Sequence, residues 1–336
     1  MQYWSGKPPQ VFLIDGTDKS IDSCELVKLE SNIRYYHLPL SFYERLSFVS
    51  ELINTDYVAL LGDDEFFISK ALDECIVNLD SEPDLVSCMG RAIGFDFKNS
   101  QIIGFSVYEE LKNYSVLCEN KFDRMILHMN PYVCSTIYSV VRSSVWKKTV
   151  RAICKKQFPP FNLSEISFEI LVSYHGKSRV IPTLMWLRSF ENKPFWVNHE
   201  DINDKNYIIE NWWQDPKNKI EHESFLKIMT ESLADGVNVN ELQLINNKIR
   251  ESINIYVQGR TKALPNHLRL RAKLLSYLPK IVVEFLRSLK YKDAEALLSE
   301  QSLDLPNFAK IFSKSEVHVD FNELSLINKI ILNFHK

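Results

Sequence analysis

Residues 55–67 read TDYVALLGDDEFF: a short apolar run, Tyr57 to Leu61, breaks at Gly62 into three adjacent carboxylates, Asp63, Asp64 and Glu65. An apolar run of this length ending in a turn residue is the pattern of a buried strand, and strands buried on both faces belong to sheets covered by helices. Three carboxylates directly after such a strand repel one another and need a cation or solvated hydrogen bonds to compensate them. Upstream, Ser41 and Glu44 have capping-box spacing, and Phe42, Leu46, Val49 and Ile53 repeat at helical spacing through to Asn54. Before that helix, Val11 to Ile14 runs into Asp15-Gly16-Thr17, and Ile33 to Tyr36 reads as a short second strand. After the acidic loop, the spacing predicts a helix over 69–79 with Leu72, Cys75, Ile76 and Leu79 on one side, then a strand from Asp84 to Cys88 ending near Gly90. Strands alternating with helices imply an α/β fold with a mostly parallel sheet.

Further along, 91–145 is richer in β-branched and aromatic residues, with Ile102 to Phe105 and Thr136 to Val141 as candidate strands, so the sheet is expected to turn mixed there. From about residue 200 the pattern is helical, in runs over 222–233, 240–256 and 265–289 interrupted by Pro265 and Pro279. These shifts divide the chain into a catalytic α/β part, 1–195, and an all-helical C-terminal region, 196–336. With 336 residues, 45% hydrophobic and 25% charged, the chain is long enough for a large core and too apolar for extensive disorder. A formal net charge of -3 gives no whole-molecule argument for nucleic-acid binding. The six cysteines contain no CxxC pair and read as reduced core thiols. The opening MQYWSGKPPQ has no apolar signal-like run, and no later stretch has the length of a membrane span, so a cytoplasmic location is expected, or one peripheral to a membrane.

The order of Val11 to Thr17 (a strand ending in Asp), the helix carrying Arg45, and Tyr57 to Phe67 resembles the GT-A glycosyltransferases, the nucleotide-diphospho-sugar transferases with a Rossmann-like mixed sheet. Within them it is similar to family 2-like bacterial enzymes with a GDDD-type DxD motif. The continuation over 71–95, ALDECIVNLDSEPDLVSCMGRAIGF, carries the same likeness, which is strongest over 11–95 and looser to about 190. Glu65 stands where that subgroup has its third Asp, and the strand and helix with which the family begins, before the position of Val11, have no counterpart here. The resemblance implies a metal-assisted transfer of a sugar from a nucleotide sugar donor to a glycan or lipid-linked acceptor in polysaccharide biosynthesis. It implies that Asp15, Arg45, Asp63 and Asp64 meet the donor, and that Asp63 and Glu65 hold a divalent metal, Mn²⁺ or Mg²⁺. Such ions accept one or two protein carboxylates and complete their shell with water and phosphate oxygens, which neutralises a departing diphosphate.

An inverting transferase also needs a carboxylate to take the acceptor's proton. By the same resemblance that base opens a helix ending in Gly; the segment Asn162 to Gly176 fits, with Glu165 in the base position and Glu169, one turn later on the same face, as the alternative. Ser164 could cap this helix and leave Glu165 in its first turn, where the dipole favours an ionised carboxylate, although acids at helix starts are also ordinary stabilising features. Arg188 could meet phosphate or lie on the surface, His199 could add a metal ligand, and Trp196, Trp212 and Trp213 could stack on a sugar or fill the core. The interval 260–292 is basic apart from Glu284 and amphipathic, the pattern of a helical pair lying on an anionic membrane or packing on the catalytic part. Two rival enzyme readings fail on residues: Leu13 replaces the nucleophilic Asp of the aspartate phosphatases, and Phe66 replaces the second Asp of a metallophosphoesterase motif. The remaining rival is a catalytically silent module of the same fold, serving as a binding or scaffold part of a polysaccharide-assembly protein.

Overall fold

The computed structural model describes residues 2–22, 29–160, 162–192, 208–263 and 303–336. Strand β1, Val11–Asp15, pairs in parallel with β2, Ile33–His37, from Val11 opposite Ile33 to Asp15 opposite His37. The two form a sheet of their own. Helix α1, Phe42–Leu52, begins with the expected capping box: Ser41 Oγ accepts from the Glu44 amide, and Glu44 Oε2 accepts from the Ser41 amide. Two otherwise orphaned helix-start donors are thereby satisfied.

Next come β3, Tyr57–Val58; β4, Phe66–Phe67; and α2, Ser69–Ser81. They are followed by β5, Leu85–Lys98; β6, Gln101–Ser106; β7, Ser115–Val116; and α3, Lys121–His128. Then come β8, Val140–Arg142; α4, Ser143–Ile153; α5, Leu163–His175; and β9, Lys177–Ser189. The later part holds α6, Ile209–Gln214; α7, Lys219–Ser232; α8, Val239–Ala263; β10, Leu303–Asp304; α9, Leu305–Ser313; and α10, Phe321–Phe334.

The spine of the eight-stranded sheet is the parallel pair β5 and β9, running from Leu85 opposite Lys177 to Phe95 opposite Ser189. Along the other edge of β5 lie β8 and β6, both antiparallel, extended by β3 and β10; along the other edge of β9 lie β4 and β7. The sheet is therefore mixed, with less parallel pairing than the alternation of elements suggests. Two apolar clusters cover its faces, and the period of two sorts successive residues between them: Leu85 and Val140 enter one, Val86 and Val141 the other. The first cluster packs α2, α9 and α10 through Leu72, Ala309 and Ile327; the second packs α3, α4, α5 and α8 through Met125, Trp146, Ile170 and Ile249.

Several expectations change. The strand expected to stop near Gly90 continues to Lys98, with buried residues from Leu85 to Phe95. Gly90 is a close-approach point: a Cβ there would fall 2.4 Å from both Met185 Cβ and the Thr183 carbonyl oxygen. Of Thr136 to Val141, only Val140 and Val141 join a strand, because the Thr136 and Ile137 amides donate to the Glu169 carboxylate instead of to a neighbouring strand. Among the described residues after 200 the regular elements are helical except for β10, which pairs with β6 and ties α9 to the main sheet, and an isolated bridge at His318. The helical run expected over 265–289, and most of the basic interval 260–292, lie outside the described residues. Among the described residues no helix is long and apolar enough to cross a membrane. Cys75, Cys88 and Cys134 are buried free thiols, Cys118 and Cys154 are half-buried ones, and Cys24 lies outside the described residues.

Candidate functional site

Asp15 closes β1, and Arg45, far away in sequence, lies over Gly16 in the turn that follows it. Asp15 Oδ1 accepts from the Thr17 amide at 2.9 Å and the Thr17 hydroxyl at 2.7 Å, and its Oδ2 accepts from the Tyr35 hydroxyl. These bonds, Thr17 first and then Tyr35, hold the carboxyl down at about 2, so the group is a fixed anion. The Arg45 guanidinium reaches across from α1 and lies on the turn, where a Cβ on Gly16 would sit 1.0 Å from Nη1. Gly16 leaves that space open. An anion at a strand end and a cation over the turn that follows it can grip a ligand carrying both donors and acceptors, and the crevice outside strand carboxyl ends is where α/β sheets bind ligands.

The acidic triplet divides its three side chains. Asp63 is exposed, Asp64 Oδ2 accepts from Asn192 Nδ2 at 3.0 Å, and Glu65 turns inward with its side chain 11% exposed. The cause is β4, which starts immediately after Glu65 and pairs Phe66 with Leu187 and Phe67 with Trp186, locking the loop against β9. Glu65 Oε2 accepts from the Trp186 indole N–H at 2.9 Å, and Oε1 lies 3.9 Å from Arg188 Nε. Trp186, fully buried, stacks against Tyr138 at 4.4 Å and Tyr108 at 5.3 Å between ring centroids. Burial in this aromatic box pushes the Glu65 carboxyl up to about 7, against the opposing pull of the Trp186 hydrogen bond and the Arg188 charge. A carboxyl so poised takes up either a proton or a cation.

Helix α5 supplies the other two carboxylates. Its first turn carries Glu165, as expected, but Ser164 lies inside the helix and the N-cap position belongs to Asn162, whose side chain makes no capping bond. Glu165 Oε1 accepts from the Tyr132 hydroxyl at 2.6 Å; burial pushes the carboxyl above its ordinary range, and the nearby Glu169 adds to the rise. Glu169 itself is fully buried. Its oxygens accept from the Thr136 amide at 3.1 and 3.2 Å, the Thr136 hydroxyl, the Ile137 amide at 3.1 Å and His128 Nε2. His128 Nδ1 in turn contacts the Tyr114 hydroxyl, and an imidazole with its proton on Nε2 satisfies both neighbours. With its lone pairs committed and no exposed surface, Glu169 fastens the loop over 132–139 and has none to offer an acceptor hydroxyl. That loop carries Tyr132 to Glu165 and Tyr138 to Trp186. Tyr138 is pushed well above the usual phenol range by burial and then by the charges of Cys134, Glu165 and Glu65.

Trp212 and Trp213 donate to Glu221 and Asn254, at 2.9 and 2.7 Å, and pack among the helices rather than at the acidic loop. Trp196 and His199 lie outside the described residues. Sequence reasoning missed Tyr108, Tyr132, Tyr138 and Trp186; Trp186 sits inside the apolar run preceding Arg188 and reads there as simple core. Among the described residues no three His, Cys, Asp or Glu side chains converge into a preformed metal cage. Mg²⁺ and Mn²⁺ can take as few as one or two protein carboxylates and fill the rest of their shell with water and phosphate oxygens, and the carboxylates offered here are exposed Asp63 and inward Glu65, the latter already accepting from Trp186. No protein-family model matches the chain, and no curated protein matches it.

Proposed function

We propose that the chain is a GT-A-type glycosyltransferase, moving a sugar from a nucleoside diphosphate sugar to a hydroxyl of a glycan or lipid-linked acceptor. The observation that carries this reading is the acidic loop after β3, where Asp63 is exposed and Glu65 is held inward by the Trp186 indole, together with a second inward carboxyl, Glu165 in the first turn of α5, held by Tyr132; burial raises the pKa of Glu65 and of Glu165. Carboxyls with perturbed pKa values cluster at functional sites. Asp15 and Arg45 hold the nucleoside, Asp64 orients the donor, and Asp63 and Glu65 hold Mn²⁺ or Mg²⁺. A bound ion would neutralise the diphosphate's charge.

The proton chemistry belongs to Glu165. Its raised pKa makes the ionised form a stronger base than a surface carboxylate, and the Tyr132 hydroxyl fixes Oε1. As the acceptor oxygen attacks the anomeric carbon, its proton passes to Glu165 and the bond to the diphosphate oxygen breaks on the opposite face, giving inversion. The test is release of nucleoside diphosphate from a panel of UDP and GDP sugars. Glu165→Gln is expected to lower turnover by about 10²–10⁴-fold while donor binding persists. Glu65→Ala is expected to lose metal-dependent activity, and full activity in that variant defeats the proposal. The rival reading, a silent binding module of the same fold, draws on one observation: β1 and β2 form a sheet separate from the rest. Turnover with any donor decides between them.

A further inference from the structure

Arg188 is an unusual arginine. It projects from β9 into the aromatic box, 5.2 Å from the Tyr108 ring, 5.5 Å from Trp186 and 5.3 Å from Phe190. Its side chain keeps 27% of its exposure, so one side is open. A guanidinium has five N–H donors, and a half-buried one normally places them on acceptors. Among the described residues Arg188 donates no hydrogen bond at all, whereas Arg124, Arg142 and Arg179 each engage carbonyls or carboxylates. Its nearest anion, Glu65 Oε1, lies 3.9 Å from Nε, in contact with one nitrogen and beyond hydrogen-bond length. The other Glu65 oxygen already accepts from Trp186.

We propose that Arg188 is a phosphate-binding residue, and that in the free protein Glu65 serves as its stand-in anion. Three ring centroids lie within 5.5 Å of the guanidinium, and among the described residues its fork of donors is unpaired, an arrangement open to two phosphate oxygens. The proposal rests on the donor reading for the source of the phosphate, but not for the anion site itself. It also makes Arg188 and a divalent cation competitors for Glu65. A cation that takes Glu65 strips Arg188 of its counter-charge and meets a like charge, until an anion arrives to bridge both. Metal and diphosphate binding are therefore coupled, each favouring the other.

The test is calorimetry on the full chain and its Arg188→Gln and Arg188→Lys variants, with inorganic pyrophosphate, Mn²⁺ alone, and UDP with Mn²⁺ as separate titrants, melting temperatures serving as the folding check. Arg188→Gln is expected to weaken pyrophosphate by about tenfold or more. Arg188→Lys, which keeps the charge and loses the fork, falls between. Mn²⁺ alone is expected to bind more tightly to Arg188→Gln, by roughly fivefold, because a like charge has gone. A purely structural Arg188 would not move these two ligands in opposite directions. If Arg188→Gln binds pyrophosphate and Mn²⁺ as the wild type does, the proposal is wrong even where UDP with Mn²⁺ binds and the donor reading stands. If pyrophosphate depends on Arg188 while UDP binds no better than pyrophosphate, the phosphate site stands and the nucleotide donor falls. A wild-type chain that binds neither overturns both.

Discussion

Replacing Glu169 with Gln separates a structural carboxylate from a catalytic one. In the native protein the carboxylate receives the Thr136 and Ile137 amides, the Thr136 hydroxyl and His128 Nε2, with no exposed surface. Gln keeps one acceptor oxygen for the Thr136 and Ile137 amides and turns an NH₂ group toward the Thr136 hydroxyl and the His128 Nε2–H, so the charge is lost and one N–H is set against another in a site that water does not reach. Hydrogen bonds to a charged partner contribute about 1.5–3 kcal/mol each, and orphaning one member of a buried polar set costs about 3–5 kcal/mol. We therefore expect Glu169→Gln to lose about 3–5 kcal/mol of unfolding free energy in urea titration. At about 2–4 °C per kcal/mol for domains somewhat smaller than this one, the melting temperature should fall by several degrees or more. Near-UV circular dichroism at low temperature should report altered packing around Tyr132 and Tyr138. A variant within about 1 kcal/mol of wild type that has lost all turnover would refute the reasoning and restore Glu169 as a candidate base.

Other consequences are as direct. Burial lowers the His175 imidazole to about 4, helped by repulsion from Lys148 and Arg124 and opposed by Asp235. The folded state resists the proton that the unfolded chain accepts near 6.5, so this contribution is fully present above that pH and is lost as pH falls toward about 4. Discounted for the partial exposure of His175, the loss is about 1–2 kcal/mol, and His175→Gln should flatten that part of the stability-against-pH curve; an unchanged curve contradicts it. Gly176 has an extended backbone, φ −179°, so its need is for space: an added Cβ would meet Val86 Cγ1 at 2.3 Å and the Asp84 carbonyl oxygen at 2.7 Å. Gly176→Ala should cost about 1–3 kcal/mol on chemical denaturation, and an unaltered midpoint would show that the α5–β9 junction yields freely.

Legibility in the sequence follows the range of the forces involved. The α1 capping box, the helix of Ser69–Ser81 and the strand before the acidic loop are set by residues within one or two turns of each other, and each was readable. Naming Asp15 and Arg45 together was a matter of family order rather than of spacing, and the structure places Arg45 over Gly16, next in sequence to Asp15, in a gap that glycine leaves. What could not be read is non-local. The loop over 132–139 has the β-branched composition of a strand, yet Glu169, 33 residues beyond Thr136, takes its amides. Gly90 looks like a stop and is a packing point against β9. Burial of Glu65 depends on Trp186, 121 residues away, and no periodicity near either residue signals the pair. Arg188 shows the same limit, since its three aromatic neighbours come from two separate segments of the chain.

The central claim is a nucleotide-diphosphate site that uses the acidic loop, and the most direct measurement is calorimetric titration of the chain with UDP and with GDP, each with and without Mn²⁺. The account predicts that one of the two binds measurably only when Mn²⁺ is present, and that Glu65→Ala abolishes this dependence. Absence of binding by both nucleotides in the presence of Mn²⁺, from protein that melts cooperatively, would contradict it.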